Sequence, residues 1–240
     1  MTGAAAGIGR AYAIGLARAG AAVAVADINE AGAKETAALI EADSGHAVPF
    51  AVDISDRAST LRLGDAVRDQ LGNAHIVVNN AAIFHKLEKH PLLTVDIGYW
   101  RNVFSVNLDG ALLVTQAFAP QLISNGWGRV IVQTSTAAYT GPGMYGATKL
   151  ALLALIRGFA KELGGYGVTV NGIAPGATMT DAMLDTVPQE RLGEILAAQV
   201  IKRHGSTDDL VGPLLFLCSD AAAWVTGQTL LVDGGATPRL

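Results

Sequence analysis

The sequence predicts an α/β fold: a single doubly wound parallel sheet with helices on both faces. Three observations predict it. Short β-branched, apolar runs alternate along the chain with longer segments of helical periodicity. The apolar runs are continuous rather than alternating, as expected of strands covered by helices on both sides. No repeat, low-complexity stretch or linker interrupts the pattern over 240 residues, so residues 1–240 read as one domain.

The first element raises a difficulty. The chain opens "MTGAAAGIGR", with Gly3, Gly7 and Gly9 spaced for a phosphate-gripping turn, yet only Met1 and Thr2 precede them. Such a turn hangs from the end of a buried strand, so about ten further residues are expected upstream in the natural chain. A missing strand would leave its two neighbours roughly 9.6 Å apart. Upstream residues, another segment or direct pairing of the neighbours are the expected ways to close that slot.

The remaining elements follow in order. "IGRAYAIGLARAG" has helical spacing and stops at Gly20, and "AAVAVADI" is a strand carrying Asp27 at its end. "EAGAKETAALIEAD" reads as a helix, "AVPFAVDI" as a strand, "RASTLRLGDAVRDQLG" as a helix and "HIVVNNAA" as a strand. Residues 99–124 read as one long helix, followed by the strand "GRVIVQTS", a helix over 145–163 and the strand "VTVNGIAP". The segment 181–203 is the least regular and reads as a lid. "TDDLVGPLLFLCSD" then gives a helix and "TLLVDGG" the last strand.

Composition narrows the function. Half the residues are hydrophobic and 16% charged, which supports a large core. A net charge of −4 argues against a nucleic-acid surface, and no apolar run is long enough to cross a bilayer. The lone Cys218, in an apolar helix, reads as a buried small hydrophobe, and a chain without internal disulfides fits a reducing cytoplasm. His46, His75, His85, His90 and His204 lack metal-ligand spacing and read as loop histidines. Glu88 and Lys89 read as a charged loop, and Trp100, Trp127 and Trp224 as packing residues.

Several residues carry chemistry. With 28 glycines, the bare GxxxGxG spacing arises by chance about 0.4 times, so the helix that follows it carries the argument. The N–H groups at that helix start can hold a pyrophosphate. Asp27 lies 18 residues beyond Gly9, where a carboxylate accepts a ribose 2′-hydroxyl and repels a 2′-phosphate. Neither Ala6 nor Ile28 supplies a compensating cation, which favours NAD over NADP. Asp53, at the end of "AVDIS", is placed to face an adenine, and Asn79 and Ala81 of "VNNAA" end a strand on the ligand side of the sheet. Tyr145 and Lys149 in "MYGATK" stand four apart on one helix face. A phenol titrating near 10 needs about 2.7 kcal/mol to act as a base around pH 8. An ammonium about 4 Å away would supply roughly 4 kcal/mol at an effective dielectric of ~20. Ser135 ends the preceding strand, where its hydroxyl can hold a substrate oxygen.

In this order "TGAAAGIG", "VNNAA", Asn107 in "FSVNLDG", Ser135, "YGATK", "NGIAPGATMT" and "TGQTLLVDGG" resemble the small single-domain branch of the short-chain dehydrogenase/reductase family over the whole chain. The resemblance implies a Rossmann-like, NAD-dependent oxidoreductase interconverting a secondary alcohol and a ketone. It implies Tyr145 as general acid/base, Ser135 as the residue orienting the substrate oxygen, and Lys149 as the group that tunes the tyrosine and holds the nicotinamide ribose. Asn107 would anchor a water leading from that lysine. The expected cofactor contacts are Gly3, Gly7, Ile8, Gly9, Asp27, Asp53, Ile54, Asn79, Ala81, Tyr145, Lys149, Pro175, Gly176, Thr178 and Thr180. Ala82 stands where the family usually has Gly, and Ser135 to Tyr145 is shorter than usual, so Thr134 or Thr136 could share the role of Ser135.

Met144, Met179, Met183 and Leu184 suggest a mostly apolar substrate pocket, and the absence of a nearby Arg makes a carboxylate-bearing substrate less expected. The apolar surface of the 145–163 helix, together with the resemblance, implies a homotetramer. The alternative is a non-catalytic NAD-binding sensor or scaffold on the same fold.

Overall fold

The continuous apolar runs become parallel strands buried between two layers of helix. A computed structural model describes residues 1–85, 87–88, 90–141 and 143–237; Lys89 and the last three residues of the expected domain lie outside them. Elements alternate from the start: α1 (Gly7–Arg18), β1 (Ala22–Asp27), α2 (Glu30–Ala42), β2 (His46–Ala51), α3 (Arg57–Leu71) and β3 (Ile76–Asn79). Next come α4 (Ile97–Phe104), α5 (Gly110–Asn125), β4 (Gly128–Gln133), the one-turn α6 (Ala137–Thr140), α7 (Met144–Leu163) and β5 (Val168–Pro175). The chain continues through α8 (Asp181–Thr186), α9 (Gln189–Ala198), α10 (Asp208–Cys218) and β6 (Thr229–Val232).

Strands β1 and β2 pair with each other, and β3, β4, β5 and β6 pair in that order, all in parallel. Successive residues of β4 show why its run is apolar throughout. Val130 and Val132 pack into the core with Phe118, Leu122 and Ile156, while Ile131 packs into the opposite core with Tyr12, Leu16 and Leu214.

The slot between β1 and β3 is bridged at its C-terminal end by Met1–Ala4. Thr2 N donates to Val78 O at 3.1 Å, while Ala26 N donates to Met1 O at 2.9 Å and Ala4 N to Ala26 O at 3.3 Å. Thr2 thus bridges the two sheet pieces, bonding β3 on one side and lying in parallel register with Ala26 on the other. Direct pairing of β1 with β3 does not occur. The connection from β2 crosses back over this segment to β3, which makes the C-terminal ends of these strands the place where an α/β sheet opens a ligand crevice.

Two expectations are corrected. The long helix of 99–124 is broken by a π-helical turn over Ser105–Asp109, which separates α4 from α5 and carries Asn107. The segment 181–203 is not irregular. The Thr180 side chain caps α8 by accepting from Met183 N, and Pro188 is the N-cap residue just before α9.

Candidate active site

The crevice is a cavity of about 1060 Å³ at the C-terminal ends of the strands. At one end lies the glycine turn. Gly3 has φ +65°, and a Cβ there would stand 2.7 Å from Ala81 Cα. A Cβ on Gly9 would stand 1.8 Å from Gly3 O, so only glycine lets the start of α1 approach the turn this closely. No side chain caps α1, and its first turn faces the cavity through Gly7, Ile8 and Gly9. Asp27 closes the same end. Its carboxylate accepts from Ala5 N at 3.0 Å and from Asn29 N at 2.9 Å while lining the cavity. A bare backbone cradle at a helix start, with a fixed carboxylate beyond it, fits the pyrophosphate and ribose of a nicotinamide dinucleotide.

Of the expected cofactor contacts, Asp53, Ile54, Ala81, Pro175, Gly176, Thr178 and Thr180 also line the cavity. Asn79 does not. Its Nδ2 donates to Thr115 Oγ1 at 2.9 Å beneath the sheet, because neighbouring side chains of a strand point to opposite faces. Asn80 takes the cavity side and donates through Nδ2 to Thr2 O at 3.1 Å and Gly3 O at 3.0 Å, which holds the turn. Ala82 adopts negative φ, since among the described non-glycine residues only Ser44 has a positive one. A glycine is therefore not required there.

At the other end stand Ser135, Tyr145 and Lys149, all lining the cavity. The short connection between Ser135 and Tyr145 is possible because Gly146 backs directly onto Gly141, where a Cβ would meet Gly141 O at 2.1 Å. The Ser135 hydroxyl acts on the Tyr145 phenol and favours its ionised form. Thr134 is committed elsewhere, with both its N–H and its hydroxyl donating to Ile173 O. Thr136 N donates to Pro175 O. Ser135 is therefore the hydroxyl at the tyrosine.

Lys149 Nζ donates to Gln133 O at 3.0 Å and sits 5.6 Å from the centre of the Tyr145 ring. Burial pushes the Tyr145 phenol above its ordinary value, opposed by the Ser135 hydroxyl, and burial lowers the Lys149 ammonium to about 8. The expectation that the ammonium pulls the phenol down is not met in the chain alone. Desolvation acts on both groups, and the lysine is engaged by a carbonyl. Asn107 does not line the cavity. Its Oδ1 accepts from Ile83 N at 2.6 Å, and its Nδ2 donates to Ile83 O at 3.1 Å, clamping the backbone that follows β3.

The wall beyond the tyrosine contains residues that sequence reasoning missed. Phe84, Val187, Ile195 and Arg191 line it; of the expected apolar residues, Met183 does so, whereas Met144, Met179 and Leu184 do not. Arg191 corrects the expectation that no arginine is near, but its guanidinium pairs with Glu194 on the same helix. His85, an exposed loop residue as expected, also lines the cavity and lies 3.8 Å from Asp185 of α8. Pro188 and the Thr180 cap were the available signals for these helices; nothing local in the sequence brings Phe84 to the tyrosine.

Comparison with known proteins places this geometry. A family model described as enoyl-(acyl carrier protein) reductase matches residues 3–237. An uncharacterized oxidoreductase of Mycobacterium tuberculosis is 43% identical over 239 residues, covering 100% of this chain and 96% of the relative. A solved 7α-hydroxysteroid dehydrogenase, complexed with NADH and 7-oxo glycochenodeoxycholic acid, has a TM-score of 0.93 and 36% identity, covering 98% of this chain and 91% of that one. A putative NAD(P)-dependent gluconate 5-dehydrogenase of Beutenbergia cavernae, with NADP at low occupancy, has a TM-score of 0.90 and 38% identity, covering 98% and 94%. The chain belongs to the short-chain dehydrogenase/reductase family, oxidoreductases of alcohols and ketones that bind a nicotinamide cofactor.

Proposed function

We propose that the protein is an NAD-dependent dehydrogenase that interconverts a secondary alcohol and a ketone, with Tyr145 as general acid/base. The observation that carries this reading is one cavity lined by the glycine turn and Asp27 at one end and by Ser135 and Tyr145 at the other. The glycine turn and the first turn of α1 would hold the pyrophosphate, Asp27 would accept from the adenosine ribose, and Thr178 and Thr180 would hold the nicotinamide half. Asp27 disfavours a 2′-phosphate by charge and selects NAD.

In the oxidative direction the alcohol carbon gives up a hydride, its oxygen gives up a proton, and the carbonyl forms. Bound nicotinamide supplies the hydride acceptor and, when oxidised, a positive charge. Tyr145 Oη takes the proton and Ser135 Oγ steadies the substrate oxygen. The helices over 181–203 form the lid, a homotetramer is the working assembly, and the cytoplasm is the compartment. Among the described residues, no helix is long and apolar enough to cross a membrane, and the single cysteine is buried.

The test is to incubate purified protein with NAD and a panel of secondary alcohols while following reduced cofactor by absorbance. Reduction dependent on both alcohol and enzyme supports the reading. Cofactor binding with no reduction by any alcohol would turn it toward a non-catalytic binding protein.

A further inference from the structure

The substrate wall has one feature that the family assignment does not supply. Phe84 is half-buried, lines the cavity, and places its ring 5.2 Å from the Tyr145 ring at an interplanar angle of 51°. The two rings make a corner beside the reacting hydroxyl. This corner is held rigidly from behind. Ile83, the residue before Phe84, has both its N–H and its C=O bonded to the side chain of Asn107 in the π-turn. An aromatic wall fixed in advance loses little freedom when a ligand packs on it.

Two polar groups near the corner are engaged within the protein. Ser135 Oγ accepts from Ala137 N, and Thr140 Oγ1 donates to Thr136 O. At the rim the Arg191 guanidinium pairs with Glu194. An open-chain polyol brings several hydroxyls that each need a partner on leaving water, and the side chains of Phe84, Val187 and Ile195 on this wall offer none. A flat hydrocarbon ring brings apolar area and prefers tilted or offset contact with an aromatic face.

Resting on the dehydrogenase reading, we propose that the substrate is a neutral cyclic or aryl-fused secondary alcohol or its ketone, whose ring packs on Phe84 while its oxygen meets Tyr145 and Ser135. Phe84 is thus the residue that sets specificity. Neutrality follows from the paired rim, since an anionic group would have to displace Glu194 from Arg191.

The experiment compares 1-indanol, whose carbinol carbon belongs to a ring fused to benzene, with D-sorbitol. Wild-type protein and Phe84→Ala are assayed for kcat/KM with NAD, and NADH binding is measured on both to show an intact cofactor site. The expected result is a wild-type preference for 1-indanol that falls about tenfold or more in Phe84→Ala. Preference for sorbitol in the wild type, or an unchanged ratio in the variant, overturns the ring assignment and leaves the dehydrogenase reading standing. Failure to reduce NAD with either alcohol, despite NADH binding, counts against the dehydrogenase reading and removes the ring assignment with it.

Discussion

Lys149 and Tyr145 are displaced in opposite directions by one cause, burial, and that has a consequence for stability. The Lys149 ammonium, at about 8 in the folded chain against 10.5 unfolded, binds fewer protons folded than unfolded between those values. Stability therefore rises with pH through this window, by at most about 1.4 kcal/mol per unit. Above pH 9 the buried Cys218 thiol, pushed up to about 12, acts the other way, because the unfolded thiol ionises first. Between pH 8 and 9 the lysine acts without that opposition. Urea unfolding of wild type and Lys149→Met at these two pH values should show the wild type gaining on the variant as pH rises; a constant difference would contradict the burial of the charge. Asp27 yields a second prediction. NAD should bind at least tenfold tighter than NADP by calorimetry, roughly 1.4 kcal/mol, and Asp27→Ala should narrow that ratio. Equal affinities in the wild type would refute the role given to this carboxylate.

At the scale of elements, the glycine turn and the first turn of α1 act as one unit, joined where Gly9 meets Gly3 O. Gly9→Ala should weaken dinucleotide binding by a hundredfold or more, on the order of 2.7 kcal/mol, because either the turn or the helix start must move. Near-normal affinity, by cofactor fluorescence, would show that the turn yields freely. This turn was legible in the sequence because its geometry is local: glycines at fixed spacing followed by a helix. Tyr145 and Lys149 were legible for the same reason, being one helical turn apart. Three features were not. The choice between Asn79 and Asn80 depends on the phase of side-chain alternation at a strand end, which two adjacent asparagines do not reveal. The π-turn at Asn107 adds to a helix without disturbing the apolar pattern on either side. Phe84 and Arg191 reach the cavity from a loop and a helix that only tertiary packing brings to α7.

At the scale of the molecule, the site depends on a sheet whose two pieces meet through Met1–Thr2. The sequence points to a slot there, and within it Thr2 donates to Val78 O on β3 and lies beside Ala26 of β1. The apolar surface of α7 is divided. Leu152 and Ile156 are fully buried under the sheet, whereas Leu150 remains 54% exposed. Trp224, expected to pack, is 99% exposed, and Phe216 and Leu230 are also exposed. Apolar surface of this kind fits the proposed self-association. Light scattering at micromolar concentration should give four times the chain mass, and a monomer would count against the tetramer.

The central claim is that one cavity joins a dinucleotide to a tyrosine that moves the substrate proton. The most direct measurement is the rate of NAD reduction by a secondary alcohol in wild type and Tyr145→Phe, with NADH affinity measured on the same samples. The account predicts unchanged affinity and a rate lowered about 10²–10⁴-fold, because the variant loses only the proton-transferring hydroxyl. A Tyr145→Phe protein that turns over at the wild-type rate would contradict it.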